Sequence, residues 1–273
     1  LGRGWQYHLT NSLPYGLGVP LFVAGLAGIW PLARYFPRQA IVLGAFAAAF
    51  YGLIGSGQTV FFRYVLPLVP ILCLSAAVAS ERAARWIAAR TSVTPLTAAA
   101  ALGLLIGGMG LVNSVSFDVI LARTDSRVLA ARWLAPRLRP EDSLWDSGGV
   151  YTRLDLSQVD FHPWAYDPYT GSFGHPEGRT PDWLVLHESP LPMYTSVPAI
   201  IERLARSRYH LVRTVVATPR RPGSAVYDPQ DAFFMPVSGF HEVRRPGPTV
   251  RIYRLRDASS LFGSGGSGQD TPR

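Results

Sequence analysis

The chain has 273 residues, a net charge of +8 and a pI near 10.0, with 48% hydrophobic residues, only 16% charged residues and a mean hydropathy of +0.14. So little charge on so apolar a background excludes an ordinary soluble domain as the account of the whole chain. The basic excess is carried entirely by arginine, without one lysine and without a basic stripe interleaved with aromatics, so no nucleic-acid partner is expected; with abundant Ala, Gly and Pro it points to a GC-rich bacterial genome.

The apolar residues are unevenly spread. Residues 15 to 117 hold several long runs without charge, whereas residues 123 to 257 hold most of the arginines. The chain therefore reads as an α-helical membrane part, residues 1 to 118, followed by a small α/β domain at 119 to 258 and a tail at 259 to 273. Four stretches approach the roughly 17 to 25 apolar residues that cross about 30 Å of hydrocarbon. They run from about Gly16 to Ala33, Ala40 to Gly57, Tyr64 to Ser80 and Pro95 to Phe117. A cleaved signal peptide does not explain the first, because another apolar run follows it almost at once. The chain opens at Leu1 without a methionine, and is expected to be the C-terminal part of a longer membrane protein.

Arginine placement in the short loops sets the expected orientation. Arg34 and Arg38 follow the first span and Arg82, Arg85 and Arg90 follow the third, whereas the loop at 56 to 63 holds only Arg63. By the positive-inside rule the first two loops are cytoplasmic. Residues 1 to 14, the loop at 56 to 63 and everything after Phe117 are then extracytoplasmic, in a multi-pass protein of the bacterial inner membrane. Cys73 cannot pair within the chain and reads as a small packing residue of the third span. Gly103 and Gly107, four apart in the fourth span, are expected to let a neighbouring helix approach closely.

In the second part, "DSRVLAARWLAPRL" (Asp125 to Leu138) predicts a helix, with Val128, Leu129, Trp133 and Leu134 at helical spacing, Asp125 or Ser126 as cap and Pro140 as stop. A strand at Ser143 to Trp145 and a turn at Gly148-Gly149 precede a polar stretch rich in aromatics. Then come a strand in "DWLVLHES" (Asp182 to Ser189), a helix at Val197 to Arg208, a strand over Tyr209 to Thr218 and a last strand, "VRIYRL". In that last strand interleaved arginines predict a half-buried edge. Alternation of strand and helix implies a three-layer α/β domain. The glycine-serine tail reads as disordered.

Motifs for soluble chemistry are weak. His162, His175, His187, Asp160, Asp167 and Glu188 lack a metal-ligand spacing and read as loop hydrogen-bonding groups. No metal, no assignable cofactor and no catalytic nucleophile or triad is read, and Gly16-x-Gly18 lacks a phosphate-binding context. The sharpest feature is "FFRYVLPLVPIL" (Phe61 to Leu72), where Arg63 and Tyr64 stand at the mouth of a span whose first turns carry Pro67 and Pro70. Backbone freed from regular hydrogen bonding in a membrane is tolerated only against protein or beside a water-filled cavity. Arg63 there either forks two hydrogen bonds onto a phosphate, with the Tyr64 phenol as a further donor, or anchors an aromatic belt by snorkelling to headgroups.

The run "RYVLPLVPILCLSAA", with "YGLGVPLFVAGLAGIW" two spans earlier, resembles the C-terminal membrane half of GT-C glycosyltransferases that use a polyprenyl-phosphate sugar. Bacterial relatives of protein O-mannosyltransferases and of the lipid A aminoarabinose transferases belong to that group. "GFHEVRRPGPTVRIYRL" resembles the end of many such proteins, so the likeness spans most of residues 12 to 257 through loose, hydrophobic motifs. The resemblance implies a polyprenyl-phosphate sugar donor at Arg63 and Tyr64, transfer on the outer face, and a catalytic base, an acidic residue in the first outer loop of the N-terminal half, that has no counterpart here. The competing expectation is a non-enzymatic membrane protein whose outer α/β domain binds a partner or a cell-wall glycan.

Overall fold

The computed structural model describes residues 4–58, 60–174, 179–218, 223–231 and 233–256. The tail at 259 to 273 and His175 lie outside the described residues. Two compact units are present. The first comprises residues 4–122 with the returning segments 224–231 and 235–242, and the second comprises the remainder.

The first unit is helical. Its helices are α1 (Gly4–Leu17, with a π-type turn at His8–Ser12), α2 (Val19–Tyr35), α3 (Pro37–Gly55), α4 (Val69–Ala88, entered through a 3-10 segment Phe62–Leu68) and α5 (Pro95–Leu121). Prolines open α2, α3, α4 and α5 in the first turn, where the missing N–H has no intrahelical partner to lose; Thr94 caps α5 by accepting from Thr97 N–H. Three helices are long and apolar enough to cross a membrane, or up to four if α1 and α2 form one bent span. The exposed faces of α3 and α5 carry Ile41, Leu53, Leu104 and Leu105, a pattern that fits an apolar surrounding.

Three differences from the sequence reading have physical causes. The first predicted span starts three residues before α2: Gly18, at φ 81, breaks the helix and turns α2 by 114° from α1, so Gly16 and Leu17 belong to the preceding helix. The third begins with a 3-10 segment around Pro67 and continues beyond Ser80 to Ala88, where Glu81 pairs with Arg85 one turn on. The close approach expected at Gly103 and Gly107 occurs elsewhere. Among the described residues nothing lies within 4 Å of where a Cβ at either would stand, whereas a Cβ at Gly28 would collide with the Ser75 carbonyl.

That approach also sets the bundle's polarity. Gly25 meets Leu72, Gly28 meets Ser75, and the Arg82 guanidinium lies over the Tyr35 ring at 3.5 Å, always at the same sequence offset. α2 and α4 therefore run parallel, and the arginine-bearing ends fall together. The opposite end gathers Trp5 against Gly55, Tyr7 against Phe62, and Phe117 against Phe240. Cys73 is partly buried against the cluster of Leu13, Leu17, Val65, Leu68 and Leu72.

The second unit is a mixed five-stranded sheet of β1 (Ser143–Asp146), β2 (His162–Pro163), β3 (Trp183–Glu188), β4 (Tyr209–Val215) and β5 (Thr249–Leu255), ordered β2-β1-β3-β5-β4. β2, β1 and β3 are parallel, and β5 is antiparallel to both its neighbours. Helix α6 (Ser126–Leu134), capped by Asp125, packs Ala130, Ala131 and Leu134 onto Trp183, Val185, Val250 and Ile252. Helix α7 (Ala199–Arg208) packs Ile201 and Ala205 onto the opposite face with Leu184, Leu186 and Tyr253. Alternation along β3 thus feeds two cores, each buried side chain contributing roughly 2 kcal/mol. Val128, counted by periodicity with the apolar residues of α6, is exposed.

"VRIYRL" is not an edge: β5 lies between β3 and β4, in register Val185↔Ile252 and Val215↔Val250. Its Arg251 is mostly buried because Glu188, at 3.1 Å, and Glu202, at 3.8 Å, neutralise it. The polar stretch rich in aromatics contributes β2 and a two-stranded ribbon, Tyr166–Asp167 with Ser172–Phe173, whose Phe173 ring packs against Trp145.

Gly28→Val should force α2 and α4 apart at an overpacking cost of about 1–3 kcal/mol. The thermal aggregation midpoint in detergent should drop for Gly28→Val and hold for Gly103→Val, whose surroundings are open.

Candidate functional site

The site grows from a backbone problem at the entry to α4. Pro67 and Pro70 carry no N–H, and the chain enters the 3-10 segment through Phe61, whose backbone is extended, so the Val60 and Phe62 amides at this entry have no helical partner. The returning segment 224–231 supplies the acceptors. Phe62 N–H donates to Asp228 Oδ2 at 2.9 Å and Val60 N–H donates to Gln230 Oε1 at 2.9 Å. Asp228 is itself held by the Gln230 N–H on its other oxygen, at 3.1 Å, and is 5% exposed. A buried carboxylate at a helix entry both caps it and complements its dipole.

Around this cap the segment is braced. Val226–Tyr227 pairs antiparallel with Pro236–Ser238, and Gly239, at φ 73, turns the chain where a Cβ would meet Ser224 and Ala225 backbone. The Glu242 carboxylate accepts from Ser224 N–H at 2.7 Å and Ser224 Oγ at 3.0 Å, and these bonds hold its carboxyl below the usual carboxylate range. Burial, with Glu242 nearby, pushes the Tyr227 phenol up to about 12. His8 is fully buried in α1; its Nδ1 shares a hydrogen bond with Ser12 Oγ at 2.9 Å, and its Nε2 finds no partner among the described residues.

Arg63 and Tyr64 stand in the 3-10 segment beside this cap. The Arg63 side chain is 53% exposed, lies over the Phe61 ring at 4.2 Å and reaches Asp231 Oδ2 at 3.7 Å. That distance is too long for a bidentate fork, and an exposed pair of this kind contributes little to stability. Tyr64 meets Phe61 edge-on at 5.3 Å and stays partly open. In the same unit a groove of about 360 Å³ runs between α2, α3 and α4, lined by Leu26, Ile29, Leu43, Ala47 and Leu72. Leu68, which closes the 3-10 segment carrying Arg63, is part of its wall.

The sequence reading found Arg63 and Tyr64 but missed Asp228, Gln230 and Asp231. The local signal for them is "DPQD", an Asp-Pro turn whose side chain binds the amide two residues on; its partner across the chain leaves no trace in the sequence. Of the other polar residues named from the sequence, His187 is held by Asp146, which accepts from Nε2 at 2.7 Å in the sheet unit, and Glu188 pairs with Arg251 at 3.1 Å; both stand on β3. Asp167 caps its own turn by accepting from Tyr169 N–H and Thr170 Oγ1, which keep its carboxyl low. No group of three metal-binding side chains occurs among the described residues.

The chain is thus a bundle of apolar helices joined to a small α/β unit. Comparison with protein-family models, with curated proteins and with solved structures returns no match.

Asp228→Ala should leave the Phe62 amide without an acceptor, at a cost of about 1 kcal/mol, and Asp228→Asn should cost less because one oxygen remains. Hydrogen–deuterium exchange of the peptide covering Val60 to Leu68 should accelerate more in the alanine variant than in the asparagine variant.

Proposed function

We propose that this chain is the C-terminal part of an integral-membrane glycosyltransferase that moves a sugar from a polyprenyl-phosphate donor to an acceptor on the extracytoplasmic face. The observation that carries the reading is Arg63: a half-exposed guanidinium, loosely paired, at the end of an apolar bundle away from the arginine-bearing loops. A phosphate can take its fork without breaking a strong pair, and Tyr64 adjoins it as a further donor. The apolar groove ending at Leu68 has the chemistry to hold the first isoprenoid units.

In such a transfer the lipid phosphate is the leaving group. A fixed guanidinium stabilises the negative charge that grows on it as the glycosidic bond breaks, which is stabilisation realised in the transition state. Asp228 is a cap and not a base in this reading, since it is buried and engaged by two amides. The acceptor is activated by a carboxylate elsewhere in the protein. Placing Arg63 outside and the cluster from Arg82 to Arg90 inside follows the positive-inside rule.

Arg63→Lys keeps the charge and loses the planar fork. Donor turnover in the full-length protein should fall roughly tenfold or more for Arg63→Lys and further for Arg63→Gln, at equal membrane expression. Wild-type turnover in both would leave only the anchoring role. The orientation has its own check in a Cys73-free background: a membrane-impermeant thiol reagent should modify a cysteine at Ser224 and spare one at Ala88.

A further inference from the structure

In the sheet unit the chain leaves the parallel strands in opposite directions. From the end of β1 it runs to β2 on one side, and from the end of β3 it passes through α7 to β4 on the other. A crevice forms where such connections diverge, outside the carboxyl ends of the strands, and open α/β sheets bind ligands there. Here it is a pocket of about 380 Å³ between the loops that follow β1 and β3, which is within the range of small-ligand sites.

Its rim is built. Asp146, the last residue of β1, accepts from Gly148 N–H at 2.7 Å, Leu154 N–H at 3.0 Å and His187 Nε2 at 2.7 Å, and Ser147 Oγ accepts from His187 N–H. Thr152 Oγ1 donates to the Tyr194 carbonyl and so ties the two loops together. The Tyr194 ring rests on Phe234, a buried residue held at φ 56, and meets Tyr151 edge-on at 6.1 Å. Side chains bulkier than glycine adopt that φ only when their surroundings impose it.

On this support three apolar side chains face solvent: Val150 is 94% exposed, Tyr151 63% and Met193 72%. The hydroxyls of Ser147 and Ser196 line the same opening, and no carboxylate, guanidinium or imidazole does. The Arg127 guanidinium reaches the Tyr151 carbonyl but is already paired with Asp125, the Asp146 carboxylate is one residue away, and the amides of Gly148, Thr152, Arg153 and Leu154 are engaged, so an anion finds neither a free cation nor a free amide there. What remains is an aromatic face beside neutral hydroxyls. That combination suits a ligand with an apolar C–H face and a polar, uncharged edge.

We propose that the crevice at the ends of β1 and β3 binds a neutral carbohydrate, with a sugar ring laid on Tyr151 and its hydroxyls exchanging hydrogen bonds with Ser147 and Ser196. Asp146 and His187 are positioning residues that hold the loop and do not touch the sugar. The site is independent of the donor reading, since it needs neither a phosphate nor a transfer step.

The test is ligand-observed saturation-transfer NMR on the full chain in lipid nanodiscs, which avoids sugar-headed detergents. Methyl α-mannoside, lactose and chitobiose serve as neutral probes and glucose 1-phosphate as the anionic one. At least one neutral probe should bind saturably, with a Kd of roughly 1 mM. Tyr151→Ala should weaken it about tenfold, and Tyr151→Phe should stay within about twofold of wild type because the ring persists. Tyr151 is a surface residue, so loss on truncation with an unchanged thermal midpoint reads the site and not the fold. No saturable binding of any neutral probe up to about 50 mM, wild-type affinity in Tyr151→Ala, or glucose 1-phosphate binding tenfold tighter than every neutral probe would each overturn the proposal.

Discussion

The entry to α4 imposes the constraint on which the helical unit depends. Pro67 and Pro70 deny that entry two donors and displace it into a 3-10 segment, so the amides just before it need acceptors from elsewhere in the chain. Buried donors without partners cost about 1–3 kcal/mol each. The chain answers with residues 224 to 231, some 160 positions downstream, and Asp228 and Gln230 close the account with the Phe62 and Val60 amides. Once that segment is anchored, Glu242 folds back on Ser224 and Phe240 is set against Phe117. Arg63 follows from the same geometry: it projects from a segment whose backbone is already fixed.

The bundle below this entry rests on a second constraint, the parallel contact of α2 and α4. A glycine at 28 lets the two backbones nearly touch, and such close contact supplies dispersion packing along the pair. Touching helices cannot slide, so the register carries Tyr35 beneath Arg82 and gathers the arginines at one end. The charge asymmetry seen along the sequence becomes an asymmetry in space through this one contact.

How much of this was legible in the sequence depends on the range of the interaction. Length and apolarity located the long helices because those depend on the surrounding medium and on local hydrogen bonds. Strands β1, β3, β4 and β5 were legible for the same reason, since alternating Trp183, Leu184, Val185 and Leu186 with their neighbours specify extended chain between two cores. Pairing was not. The arginines of "VRIYRL" imitate a solvated edge, and only the approach of Glu188 and Glu202 reveals that Arg251 is neutralised beside the sheet. Gly103 and Gly28 look alike in sequence, and the partner helix alone separates them. At the candidate site the residue types of Arg63 and Tyr64 were readable from their place before two prolines, whereas Asp228 and Asp231 sit in a polar stretch with no hydrophobic period.

The two units share one way of holding an exposed side chain still. In each, an aspartate with a buried side chain gathers donors from near and distant chain: Asp228 takes the amides of Phe62 and Gln230, and Asp146 takes those of Gly148 and Leu154 with the His187 imidazole. The side chain that faces outward, Arg63 in one and Tyr151 in the other, stands on backbone fixed by that carboxylate but gives it no hydrogen bond of its own. Support and recognition are therefore separable. On the two proposals, removing the aspartate loosens the platform, while removing the outward side chain takes away the contact group and leaves the fold unchanged. A residue whose loss destabilises the chain and one whose loss does not can then belong to the same site, and the difference follows from which of the two is buried.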